Sequence, residues 1–187
     1  MTQLRWPSRA DVQMAVLECT ALGLACLASY WLVTRVQPWT FHESRPAEQI
    51  GALWAVISTV FVLRDSYEKS MAAGVSRMAA TSVSFVLCLI YLIFLPFHAW
   101  ALGVLIAASA LAVTLLGRPG DAISAGISTA VVLIAARLSP AHAWHQPILR
   151  FIDTLAGVVV GVAAAWLLLH VIVPISKRRL AARNGPP

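Results

Sequence analysis

The sequence predicts an all-α integral membrane protein of six transmembrane helices arranged as a 3+3 inverted repeat. Three observations predict it. Hydrophobic residues make up 59% of the chain and charged residues 12%, with a mean hydropathy of +0.78; soluble domains are about 45–50% apolar and about 25% charged. Lysine and arginine divide unevenly between alternate loops. The charged ends of two distant segments recur at an offset of 73 residues.

A membrane helix needs about 20 mostly apolar residues. Charged or turn-rich breaks leave six such runs, at about 12–33, 49–63, 78–97, 99–116, 122–136 and 151–175. The first break, QPWTFHESRPAEQ, carries two prolines with Glu43, Arg45 and Glu48, which places it in water. In GRPGD, Gly117 and Pro119 stop one helix and Asp121 is the expected N-cap of the next. LPFHAW and LSPAHAWHQP read as interfacial loops, aromatic residues being favoured at that level.

Cytoplasmic loops carry the excess of Lys and Arg. With the N-terminus inside, ten basic residues fall on the inner side: Arg5, Arg9, Arg64, Lys69, Arg77, Arg118, Lys177, Arg178, Arg179 and Arg183. Arg35, Arg45, Arg137 and Arg150 fall outside. This division predicts both termini in the cytoplasm, with the basic tail 176–187 against anionic lipid. The expected place is the bacterial inner membrane. The net charge of +6 is spread over short loops without a basic, aromatic-interleaved face, so no nucleic-acid partner is expected. The first apolar run holds Glu18 and is too long for a cleavable signal. Cys19, Cys26 and Cys88 lie inside apolar runs and read as packing residues.

The repeat rests on charges, which are scarce here. RMAATSVSFVLCL from Arg77 and RFIDTLAGVVVGV from Arg150 both place an arginine, three residues, then a threonine before an apolar run. The same offset sets Glu48 against Asp121 and Arg64 against Arg137. The chain is then one membrane domain of two units, about 12–97 and about 99–175, facing opposite ways. Inverted triplets are a transporter plan, and paired short segments in the two halves point to its binding site. The second and fifth runs are the short pair. The alternative is that each helix continues past its arginine, which snorkels.

Several residues could carry chemistry. Glu18 is a carboxylate inside the first span, functional by default; it carries a proton or pairs with Arg77 or another inner arginine. Asp153 is the second proton-coupling candidate, though an acid near a helix start also suits the dipole alone. Arg77 and Arg150 suit an organic anion, because guanidinium matches carboxylate bidentately. The alternative for Arg150 is a helix-end pair with Asp153 at i, i+3. Thr81 and Thr154 suit backbone hydrogen bonds better than a substrate. His42, His98, His142 and His145 lie in outer loops; the His142/His145 spacing suits zinc, but interfacial placement is the better reading. His170 reads as an interhelical contact. Gly157 and Gly161 form a GxxxG pair, for dimerisation or for contact within the bundle. No nucleophile triad, phosphate loop or metal cluster is present, so neither an enzyme nor a cofactor is expected.

These motifs resemble the fusaric acid resistance and aromatic acid exporter superfamily over about 12–175. Trp54 and Ala55 match its Trp-Ala pair, and Arg77 with Thr81 match its Arg-x-x-Gly-Thr-x-x-Gly element, with Ala80 and Ser84 in place of the glycines. Arg150, Asp153, Thr154 and Gly157 match its second element, Arg-x-x-Asp-Thr-x-x-Gly, without substitution. The resemblance implies proton-driven export of aromatic carboxylates. Trp54, Arg77, Thr81, Arg150 and Thr154 are the expected substrate-binding positions. It implies a periplasmic adaptor as partner. The plant aluminium-activated malate channels are similar in plan, as six-helix protomers that pair into an anion pore, which implies a homo-oligomer. Many relatives add a soluble domain or a second membrane unit that this chain does not show. The rival expectation is therefore a non-transporting membrane subunit or scaffold.

Overall fold

The computed structural model describes residues 9–40, 45–140 and 143–174, which form six α-helices and no strand. They are α1 (Arg9–Thr40), α2 (Arg45–Val62), α3 (Tyr67–Phe94), α4 (Ala99–Leu115), α5 (Ala122–Leu138) and α6 (His145–Leu167). A π-helical turn, Leu168–Ile172, continues α6. Arg5, His42, His142 and the 176–187 tail lie outside the described residues.

Four segments are long and apolar enough to cross a membrane: Val12–Arg35, Tyr67–Phe94, Pro119–Leu138 and His145–Ile172. Their outward faces are apolar: Leu24, Trp31, Ile90, Phe94, Ile123 and Val159 are all exposed. Backbone polar groups are satisfied within the helices, as a hydrocarbon environment requires. The shorter apolar helices are Glu48–Val62 and Ala99–Leu115. The short pair is thus α2 and α4, not the second and fifth spans, because Leu138 and the 3₁₀ turn Pro119–Asp121 lengthen the fifth.

Two helix starts lie upstream of the expected ones. α3 begins at Tyr67, where Ser66 is the N-cap and its side chain accepts from the Lys69 amide at 3.3 Å. α6 begins at His145. Arg77 and Arg150 therefore lie inside helices rather than opening them. Gly117, at φ 78°, closes α4 in a conformation that L side chains rarely adopt. Asp121 precedes α5 but makes no side-chain capping bond; its carboxylate is engaged elsewhere.

The packing pairs elements in a repeated way. α1 lies along α2 and α4 along α5; α6 packs on α2 and α3 on α5; α3 and α6 pack on each other. Burial repeats too. Each buried position of α3 from Gly74 to Leu92 has a buried counterpart 73 residues further on in α6, including Arg77 with Arg150, Thr81 with Thr154 and Ser84 with Gly157. In α2 and α5 the buried positions match at 74, so Ala55 corresponds to Thr129 and Val62 to Ala136. At that offset Arg64 falls opposite Leu138 rather than Arg137.

Small residues make the closest contacts. A Cβ on Gly157 would lie 2.3 Å from the Ala55 carbonyl oxygen, and one on Gly161 3.0 Å from Val62. The glycine pair is a contact within the bundle, against α2. That face is covered and cannot also serve dimerisation. Ala80 and Ser84 are fully buried in place of the motif glycines. The Ser84 hydroxyl donates to the Ala125 carbonyl at 2.7 Å, so the extra polar atom is satisfied. Thr129 joins this cluster, 3.0 Å from Ser84 Oγ and 2.9 Å from Ser109 Oγ, and ties α5 to α3 and α4.

Candidate functional site

The motif residues meet where α2, α3 and α6 converge. Arg77 is 3% exposed. Its guanidinium lies 4.6 Å from the Trp54 ring centroid and 4.9 Å from that of Phe61. Those rings sit seven residues apart, on one face of α2 about two helical turns from each other. Cation–π contacts of this kind offset part of the cost of burying a charge. Nη1 of Arg77 donates to Ser124 Oγ on α5 at 2.9 Å. Nε and Nη2 have no hydrogen-bond partner, and no carboxylate pairs with Arg77, among the described residues.

Trp54 also reaches the second motif. Its Nε1–H donates to Thr154 Oγ1 at 2.9 Å, and the Thr154 hydroxyl donates to the Arg150 carbonyl at 2.8 Å. Trp54, Arg77, Thr154 and Arg150 thus form one contiguous chain of contacts. Thr81 is buried, and its hydroxyl has no partner among the described residues; the expected backbone bond is absent there and present at Thr154.

The two arginines sit in different electrostatic settings. Arg150 lies 3.2 Å from Asp153, both side chains at most 1% exposed. The corresponding position in α3 is Ala80, so Arg77 has no such neighbour. Removing one partner of a buried pair strands the other and costs about 3–5 kcal/mol. We therefore expect Arg150→Gln to lower the melting temperature of the purified protein sharply. Arg150→Gln with Asp153→Asn restores most of the loss. Equal melting of the single and double variants would contradict a pairing role.

A cleft of about 220 Å³ opens beside Arg77, lined among others by Phe61, Arg64, Ser76, Asp121 and Ser124. Ser76 donates a hydrogen bond to Asp121 Oδ1, and Arg118 lies 3.4 Å from Oδ2. The sequence pointed to Arg77 but not to Phe61, Ser76, Asp121 or Ser124 beside it. The one legible signal was Phe61, two turns from Trp54 on the same face.

Glu18 is exposed on α1 and makes no ion pair among the described residues, so it does not neutralise Arg77. It lines a second cleft of about 360 Å³ with Arg64, Asp65, Leu168 and Leu169, next to the π-turn. π-turns within helices recur at functional sites. His170, in that turn, stacks on Trp166 and meets Tyr67 of α3 edge-on, the expected interhelical contact. His98 is exposed in the α3–α4 loop, its Nδ1 2.8 Å from the Pro96 carbonyl oxygen. His145 packs on Trp144 at 3.8 Å between centroids.

The fold and the burial pattern define a multi-pass α-helical membrane protein. The sequence profile of the fusaric acid resistance protein-like family matches residues 24–164, and the chain belongs to that family. No curated protein and no solved structure matches it significantly.

Proposed function

We propose that this protein moves small organic anions across the bacterial inner membrane, exporting aromatic carboxylates, through protomers of six spans with both termini in the cytoplasm. The observation that carries this reading is Arg77: a buried guanidinium, flanked by two aromatic rings, on the wall of a cleft, with two buried nitrogens that have no partner and no carboxylate to answer it among the described residues. An isolated buried charge is costly, and a carboxylate with an aromatic body complements both the charge and the rings. Trp54, Thr81 and Thr154 complete the binding region in this reading, and Arg150 with Asp153 holds α6 in place beside it.

The inverted 3+3 repeat is part of the proposal. It is supported by the matching helix pairings and the recurrence of burial at 73 and 74 residues. A homo-oligomer is proposed because six short helices leave little room to enclose a solvated path for an aromatic anion; its contact must use a face other than the glycine pair. A periplasmic adaptor is proposed as a further partner on family grounds.

Glu18 is our proton carrier, because it lines a cleft and has no ion-pair partner among the described residues, whereas Asp153 is committed to Arg150. Glu18→Gln is expected to leave flux driven by the anion gradient intact and to remove its response to a pH gradient. A pH response as large as that of the native protein would remove Glu18 from the mechanism.

The experiment that tests the function is flux in reconstituted liposomes with a panel of benzoates, with and without a pH gradient. Saturable, protein-dependent flux is expected. No flux above empty liposomes for any member would favour the non-transporting subunit instead.

A further inference from the structure

We infer that Asp121 makes the Arg77 cleft selective for singly charged carboxylates and against dianions of the same shape; the inference rests on the anion-binding reading above. Asp121 is the only carboxylate among the described residues lining that cleft. It stands one helix away from Arg77, tied by Oδ1 to Ser76, the residue just before Arg77 in α3. The side chain of Asp121 is 18% exposed, so its charge acts through the protein, whereas its partner Arg118 is 44% exposed and screened by water. Arg64, the other cation of the cleft, is exposed as well.

An anion that reaches Arg77 from this cleft therefore meets one buried cation and one largely buried anion. A single carboxylate can face the guanidinium and turn its neutral body toward Phe61. A second carboxylate has no buried cation left, because Nη1 of Arg77 already serves Ser124, and it is repelled by Asp121. One extra unit charge about 7 Å away at an effective dielectric constant of about 20 corresponds to a discrimination of on the order of tenfold or more.

The test compares two anions that differ in charge and hardly in size, 4-methylbenzoate and terephthalate, both fully ionised at pH 7. In liposomes holding the native protein, terephthalate flux is expected to be at least about tenfold slower. Asp121→Asn should bring the two rates within about threefold, by removing the charge and keeping the shape. Asp121→Ser serves if the asparagine variant folds poorly. Ser76→Ala removes the hydrogen bond and keeps the carboxylate, so it should leave the ratio unchanged. Equal rates in the native protein, or an unchanged ratio in the Asp121 variants, would overturn the selectivity role. So would a ratio moved as far by Ser76→Ala. Absence of flux for both anions would instead overturn the transport reading. Equilibrium dialysis of the same two anions against solubilised protein then decides selectivity by itself. Binding of 4-methylbenzoate alone by the native protein, and of both by Asp121→Asn, upholds it; equal binding of both, or of neither, overturns it.

Discussion

Arg77→Gln is expected to lower organic-anion flux by about tenfold or more while the protein remains folded in the membrane. A hydrogen bond to a charged partner contributes about 1.5–3 kcal/mol, and the glutamine retains only a neutral donor. Folding should survive, because the native guanidinium has no counter-ion to strand among the described residues; only the Ser124 bond and the ring contacts are lost. Arg77→Lys should recover part of the flux. It restores the charge but lacks the planar fork that meets both carboxylate oxygens. The same substitution at Arg150 has the opposite signature, a loss of stability with little change in flux per folded molecule. Unchanged normalised flux in Arg77→Gln would leave Arg77 as a structural residue.

Gly157→Val should have the largest effect on stability. Even a single Cβ there would lie 2.3 Å from the Ala55 carbonyl oxygen and 2.7 Å from Ser58 Cβ. Both belong to the α2 backbone or its immediate branch, so neither can rotate away. Separating α2 from α6 would also break the bond from the Thr59 hydroxyl to the Gly157 carbonyl at 3.1 Å and that from Trp54 to Thr154. Overpacking costs about 1–3 kcal/mol where neighbours can yield, and more where they cannot. Gly103→Ala is the control, since nothing lies within 4 Å of its Cβ position. Alanine there gains about 0.5–1 kcal/mol of helix propensity. Monodisperse yield and melting temperature in mild detergent measure both. A Gly157→Val protein that melts like the native one would contradict the close approach of α2 and α6.

Much of the architecture was legible because charge is expensive in an apolar chain. The breaks around α4 and at the start of α5 mark real helix ends within a few residues, and the Arg150–Asp153 pair was one of the readings that i, i+3 spacing offered. The missed boundaries have one cause. A membrane span and a helix are not the same length: Glu68 and Lys69 are polar enough to end a span, yet they sit in the first turn of α3 behind a Ser66 cap. The GxxxG pair was ambiguous because the glycine spacing that admits a second copy equally admits α2. The one-residue shift between α2 and α5 was hidden for a similar reason, since apolar residues offer few landmarks for register.

The centre of the candidate site was the least legible part. Trp54 and Thr154 are 100 residues apart, and their bond depends on how α6 packs on α2. Ser124 reaches Arg77, and Asp121 its neighbour Ser76, only because α5 starts beside the first half of α3. Asp121 fits the pattern of an N-cap, and local pattern alone could not show that its carboxylate turns to Ser76 instead.

The central claim is that Arg77 takes its missing counter-ion from an organic anion. Equilibrium binding of radiolabelled benzoate to solubilised native protein and to Arg77→Gln, with matched folded fractions, tests it most directly. The account predicts saturable binding by the native protein, competed by unlabelled benzoate and lost in Arg77→Gln. Saturable binding that persists unchanged in Arg77→Gln, or none in the native protein, would contradict it.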